Sequence, residues 1–189
     1  MLKEISLPDN IRTIEQCAFC DSGIEGIHLP ENLRRIDNGT FASSGIKNVV
    51  IPDKVTKLGR GAFNRCYELA NVTLPESVTT IPRQAFIDCC KLKTVNAPNI
   101  TVVCNNAFCH CEMLTAFDFS QIKELGSASF AGTGIRKAVL SNKLTNLQPS
   151  IFCSCKNLQS VDMSACDNVK TISTRCFKDC NKLTDIKLP

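Results

Sequence analysis

The sequence predicts a solenoid: a right-handed coil of about eight turns of 22–23 residues, with a parallel β-sheet on one face, short extended or 3-10 segments on the other, and no long helix. Three observations predict it. Phenylalanine recurs at Phe19, Phe41, Phe63, Phe86, Phe108, Phe130, Phe152 and Phe177, at steps of 22, 22, 23, 22, 22, 22 and 25 residues. An apolar residue followed by Pro or Ser keeps the same period, from Leu7 and Pro8, Leu29 and Pro30, and Leu74 and Pro75 through to Leu188 and Pro189. Three residues after the phenylalanine stand Cys66, Cys89, Cys111, Cys155 and Cys180, with Ser22, Ser44 and Thr133 in the remaining turns.

Aligned on these markers, the unit reads L-x-x-V-x-L-P-x-x-V-x-x-I-x-x-x-A-F-x-x-C, as from Leu69 through Val72, Leu74, Pro75, Val78, Ile81, Ala85 and Phe86 to Cys89. Its first part alternates inward apolar and outward polar residues, the period of a strand, and Pro follows where a ladder N–H is no longer needed. Nine such segments run from Leu2–Leu7 to Leu183–Leu188. None can bury a face alone, so they are expected to stack into one parallel sheet. The next part, V-x-x-I, is too short for a stable helix and is expected to be extended or 3-10. Right-handedness follows from the strong chirality of parallel crossovers. The longer last step, around Cys166, Asp167 and Asn168, predicts a local bulge in the Phe177 turn.

The 189 residues, 43% hydrophobic and 21% charged, suit one domain spanning 1–189. A net charge of +4 without a run of like charges gives no electrostatic footprint for nucleic acid. No window approaches the ~18 apolar residues of a membrane span, so no membrane insertion is expected in this segment. The thirteen cysteines have a structural reading, as small hydrophobes at buried turn positions. Metal binding, prompted by Cys109, His110 and Cys111 and by Cys153 with Cys155, is disfavoured because zinc sites prefer C-x₂₋₄-C pairs. Stacked cysteines would form disulfides in an oxidising compartment. The only histidines are His28 and His110, and no phosphate loop or nucleophile elbow occurs, so neither enzymatic activity nor a cofactor is expected.

What remains is surface. Outward strand positions nominate a binding face of Glu4, Ser6, His28, Asn48, Asn71, Thr73, Thr94, Asn96, Asp118, Lys137, Ser160, Asp162, Asp185 and Lys187, with Gly26, Val50, Ala116 and Val139 in the same rows. The alternative is a solvated sheet face. A second row, Arg12, Arg34, Thr56, Thr79, Thr101, Lys123, Thr145 and Lys170, lies on the other segment and reads as charge that keeps a sheet edge soluble. N-x-[ST] triplets at Asn38, Asn71 and Asn99 are no more than chance supplies.

The repeat unit, with the pairs Ala18 and Phe19, Ala62 and Phe63, Ala85 and Phe86, and Ala107 and Phe108, resembles that of the BspA-like, or Treponema pallidum type, leucine-rich-repeat family over the whole chain. Thr40, Ser129, Ile151 and Cys176 depart from the alanine. The resemblance implies a leucine-rich-repeat solenoid within a surface-exposed or secreted protein, an adhesin or antigen recognising a protein or glycan partner. A cytoplasmic interaction scaffold is the alternative. The matching residues are structural, so no binding residue carries over. Because neither end has a polar cap, the chain is expected to be a fragment of a longer array or to self-associate end to end.

Overall fold

The computed structural model describes residues 3–189; the expected opening of the first strand at Leu2 lies outside the described residues. The chain alternates short strands: β1 (Glu4–Ser6), β2 (Thr13–Ile14), β3 (Gly26–His28), β4 (Arg35–Ile36), β5 (Asn48–Val50), β6 (Lys57–Leu58), β7 (Asn71–Thr73), β8 (Thr80–Ile81), β9 (Thr94–Asn96), β10 (Val102–Val103), β11 (Glu124–Leu125), β12 (Lys137–Val139), β13 (Ser160–Asp162) and β14 (Asp185–Lys187). Every pairing is parallel, and no helix occurs among the described residues. The three-residue strands form one face, and the two-residue strands form the second extended segment of each turn.

The expected single sheet is instead three runs, β1–β3, β5–β7–β9 and β12–β13–β14. The segment expected as a sixth strand, around Ala116 and Asp118, is not one. Its inward slot, held elsewhere by residues such as Val49, Val72 and Val161, carries Phe117, whose ring lies 4.9 Å from that of Phe130 and 5.4 Å from that of Phe108. An aromatic ring in a β-branched slot displaces the main chain, and residues 116–118 make no main-chain hydrogen bond to β9 or β12. The second face also breaks, into β2–β4–β6 and β8–β10–β11. There Gly59 N–H donates to Ile36 C=O at 2.8 Å and Cys104 N–H to Ile81 C=O at 2.9 Å, but the intervening Pro82 has no N–H to give. No 3-10 turn appears on this face; the segments are extended.

One column does not break. In each turn the N–H groups of the phenylalanine and of the residues two before and two after it donate to carbonyls of the next turn. Around Phe63 these are Gly61 to Arg83 at 3.0 Å, Phe63 to Ala85 at 2.9 Å and Arg65 to Ile87 at 2.8 Å, and the same triplet recurs around each repeat phenylalanine from Phe19 to Phe152, the last reaching the Phe177 turn. Aiming three alternate amides the same way requires an unusual backbone. The residues two before and two after every repeat phenylalanine are left-handed, with φ between +53° and +70°, and thirteen of them are not glycine.

Inside this column the rings stack. Neighbouring repeat phenylalanines have centroids 5.2–6.0 Å apart and planes within 25° of parallel, the offset arrangement that aromatic quadrupoles favour. Phe41 to Phe152 are fully buried, whereas Phe19 and Phe177 at the ends are half-buried. The bulge expected at 166–168 is present as an extra turn, with Cys166 buried beneath it and its thiol donating to Ser141 C=O at 3.3 Å.

A left-handed backbone costs an L-residue about 1–2 kcal/mol, and glycine escapes that cost. A Cβ on Gly61 would meet nothing nearer than 3.5 Å, so Gly61→Ala isolates the backbone effect and is expected to lose about 1 kcal/mol in urea unfolding. Ala128→Gly, at φ +53°, is expected to gain about 0.5 kcal/mol after the added freedom of the unfolded chain is allowed for. The same sign for both would contradict the assignment.

Candidate functional site

The parallel register sets the nominated face in two rows. In the central run Asn48, Asn71 and Thr94 align in one row, and Val50, Thr73 and Asn96 in the other. At one end Glu4 faces Gly26 and Ser6 faces His28. At the other, Lys137, Ser160 and Asp185 align beside Val139, Asp162 and Lys187. All of the nominated residues except Asp118 therefore sit on strands. Most are exposed; Thr73, Ser160 and Asp162 are partly covered. Asp118 lies in the irregular rung, where its carboxylate accepts from Ser120 N–H at 2.9 Å.

Polar neighbours along the rows partly satisfy one another. Asn71 Nδ2 donates to Asn48 Oδ1 at 2.7 Å, and the Glu4 carboxylate lies over Gly26, where a Cβ would find it at 2.3 Å. Hydrogen bonds from the Ser164 hydroxyl and N–H, then the charge of Lys187 at 3.4 Å, hold the Asp162 carboxyl below the usual range. Beside the face, Glu25 bridges Lys3, at 2.7 Å, and Lys47; hydrogen bonds from the two ammonium groups bring its pKa down to about 2.

Two shallow grooves open on this face where the strand pairing lapses. One, about 350 Å³, lies between β3 and β5 beside Val50; the other, about 410 Å³, lies between the Phe117 rung and β12 beside Val139. Val50 and Val139 are 67% and 52% exposed, although each stands in an otherwise polar row. Both were visible as outward valines in the sequence. What the sequence did not reveal is that each borders a break in the ladder.

The second row, from Arg12 to Lys170, is exposed except for the partly covered Thr101, and Asn38, Asn71 and Asn99 are all exposed. Among the described residues no group of three or more His, Cys, Asp and Glu is placed to hold a metal ion.

The repeat cysteines have a defined role in packing. Cys66, Cys89, Cys111, Cys155 and Cys180 each donate S–H to the carbonyl of the preceding repeat phenylalanine, at 3.0–3.1 Å. Ser22 and Thr133 instead bond the carbonyl of their own phenylalanine, at 2.7 and 2.9 Å. The choice follows turn length. Cysteine is followed by an apolar residue three positions on, as Cys66 by Leu69, whereas Ser22, Ser44 and Thr133 are followed by Gly and Ile in a turn one residue shorter. Burial pushes the Cys66 thiol up to about 11 and those of Cys89 and Cys111 well above their ordinary value, which keeps them protonated as donors.

Comparison with known proteins follows the same outline. A family model described as the BspA type leucine rich repeat region matches residues 1–115 and 81–189, in six copies. The crystal structure of a leucine-rich repeat protein from Bacteroides ovatus is similar at 28% identity with a TM-score of 0.87, covering 100% of this chain and 55% of its own. The leucine rich repeat protein of T. pallidum is similar at 26% identity and 0.70, covering 81% of this chain and 73% of its own. A leucine rich cell surface protein from Faecalibacterium prausnitzii, at 21% identity and 0.64, shares the fold, covering 99% of this chain and 60% of its own. The chain thus spans little more than half the length of the B. ovatus and F. prausnitzii proteins. No curated protein matches the sequence.

The thiols give a direct check. Under native conditions at neutral pH an alkylating reagent is expected to modify exposed Cys17 first and to leave Cys66, Cys89, Cys111 and Cys155 untouched until unfolding. Because the folded pKa values are raised, the column's contribution to stability is complete below the unfolded value of about 8.5 and is lost as pH climbs through the folded ones. Stability is therefore expected to fall from about pH 8.5 towards pH 11, and less steeply in Cys66→Ser. Rapid native labelling of the column would contradict the packing.

Proposed function

The chain belongs to the BspA-type leucine-rich-repeat family, and from that premise we propose that it is a non-catalytic binding module of a bacterial surface protein, an adhesin or antigen that grips a protein partner through its strand face. The single observation that carries this reading is the pair of exposed valines, Val50 and Val139, each beside a groove on an otherwise hydrogen-bonding surface. Such a surface offers apolar anchor points inside a polar rim, the usual anatomy of a protein interface. The polar rows from Glu4 to Lys187 would then set register and association rate, since rim charges act mainly on approach.

The surface location draws support from the F. prausnitzii relative, which is described as a cell surface protein. The length of the relatives supports reading residues 1–189 as one domain of a longer array.

Val50→Asp and Val139→Asp should leave the fold intact, because exposed substitutions usually change stability by less than about 0.5 kcal/mol. Each is expected to weaken binding to an immobilised protein partner by tenfold or more, about 1.4 kcal/mol. Charge reversal at Arg34 and Lys123 on the other row is expected to leave it unchanged. If the row variants abolish binding and the valine variants do not, the partner uses the opposite face.

A further inference from the structure

Seven of the eight turns carry a side chain two residues past the phenylalanine: Asp21, Ser43, Arg65, Asp88, His110, Ser154 and Asp179. The Phe130 turn carries Gly132, at φ +70°, where a Cβ would stand 2.8 Å from His110 Cδ2. Gly134, in the same short turn, passes so close to Glu112 that a Cβ would lie 2.3 Å from its carbonyl oxygen. One turn without side chains between two that have them leaves a notch of about 400 Å³. Its walls are His110 and Glu112 on one side and Ser154, Lys156 and Asn157 on the other.

His110 is held rather than free. Its Nδ1 lies 2.8 Å from Asp88 Oδ1, and the half-buried Asp88 carboxylate also lies 3.8 Å from Arg65 Nε. With Nδ1–H donated to Asp88, the free ring nitrogen is Nε2, the arrangement by which a carboxylate orients a working histidine. Asn157 is fixed as well, because Lys182 Nζ donates to its Oδ1 at 2.9 Å and leaves its NH₂ group to donate. None of these groups belongs to the strand face.

We propose that this notch binds a carboxylated sugar residue, a uronic or sialic acid, independently of the protein site on the strand face. Lys156 places a cationic donor on one wall for the carboxylate, and the ring of His110, held by Asp88, stands on the opposite wall. Glu112 would repel a bare anion but accepts hydrogen bonds from ring hydroxyls, and Ser154 and Asn157 complete the hydroxyl contacts. No aliphatic or aromatic hydrocarbon side chain lines the notch to hold an apolar peptide residue, and the volume lies within the ~300–1,000 Å³ range of small-ligand sites.

The test is a ¹⁵N-¹H NMR titration of the intact chain with methyl glucuronide and with N-acetylneuraminic acid, alongside methyl glucoside and sodium acetate. The expected result is a set of shifts at Gly132, Gly134 and Ser154 with one or both acidic sugars. These should saturate near millimolar ligand and be far weaker with glucoside or acetate. Lys156→Ala is expected to weaken binding about tenfold with the rest of the spectrum unchanged. Val50→Asp should have no effect, which separates this site from the strand face. Acetate matching the sugars, shifts confined to the strand face, or no shifts at about 50 mM ligand would each overturn the proposal.

Discussion

The rest of the structure depends on how the main chain passes through the phenylalanine turn. Backbone amides in a packed interior must find partners, and most solenoid turns could find them in either of two β-ladders. In this chain both ladders are interrupted, the first between β3 and β5 and again around Phe117, the second at Pro82 and after β11. The triplet of turn-to-turn hydrogen bonds around each phenylalanine continues through every turn. Its geometry demands left-handed residues at two places per turn, at about 1–2 kcal/mol for each that is not glycine. The stacked rings and the S–H bonds to the phenylalanine carbonyls offset that cost by burying the inside of the same segment.

Continuity there frees the surface elsewhere. Because the turn column sets the spacing of the coil, a rung can lose its strand pairing without losing its place. The Phe117 rung does so and leaves the groove beside Val139, and the lapse between β3 and β5 leaves the one beside Val50. The same independence lets a single turn shed its side chains at Gly132 and Gly134 and open a notch. In this chain the turns that depart from the consensus are therefore where the grooves and the notch open.

Much of this was legible in the sequence, and the reasons differ from part to part. The phenylalanine period fixed the number of turns because one large buried ring per turn leaves no room for a second register. The outward strand residues followed from simple alternation, and all but Asp118 lie on strands. Asp118 was misplaced because alternation treats Phe117 as one more inward apolar residue, whereas its ring competes with Phe108 and Phe130 for the same space. The left-handed positions were hidden because Arg65, Gln84 and Arg175 carry no local signature of positive φ. The pairing of His110 with Asp88, like that of Lys91 with Glu68 at 2.8 Å, joins residues one period apart and becomes visible once side chains are read down the columns.

The phenylalanine turn column, not the sheet, is the continuous hydrogen-bonded spine of the molecule. Native-state hydrogen exchange of individual amides tests it most directly, since protection reports the free energy needed to open each bond. The amides of Phe41, Phe63, Phe86, Phe108 and Phe130 are expected to exchange slowest and together, at the global unfolding free energy. Residues 116–118 should exchange fastest within the interior turns. Slower exchange in the β5–β7–β9 strands than in the phenylalanine amides would contradict it and return the sheet to the role of spine.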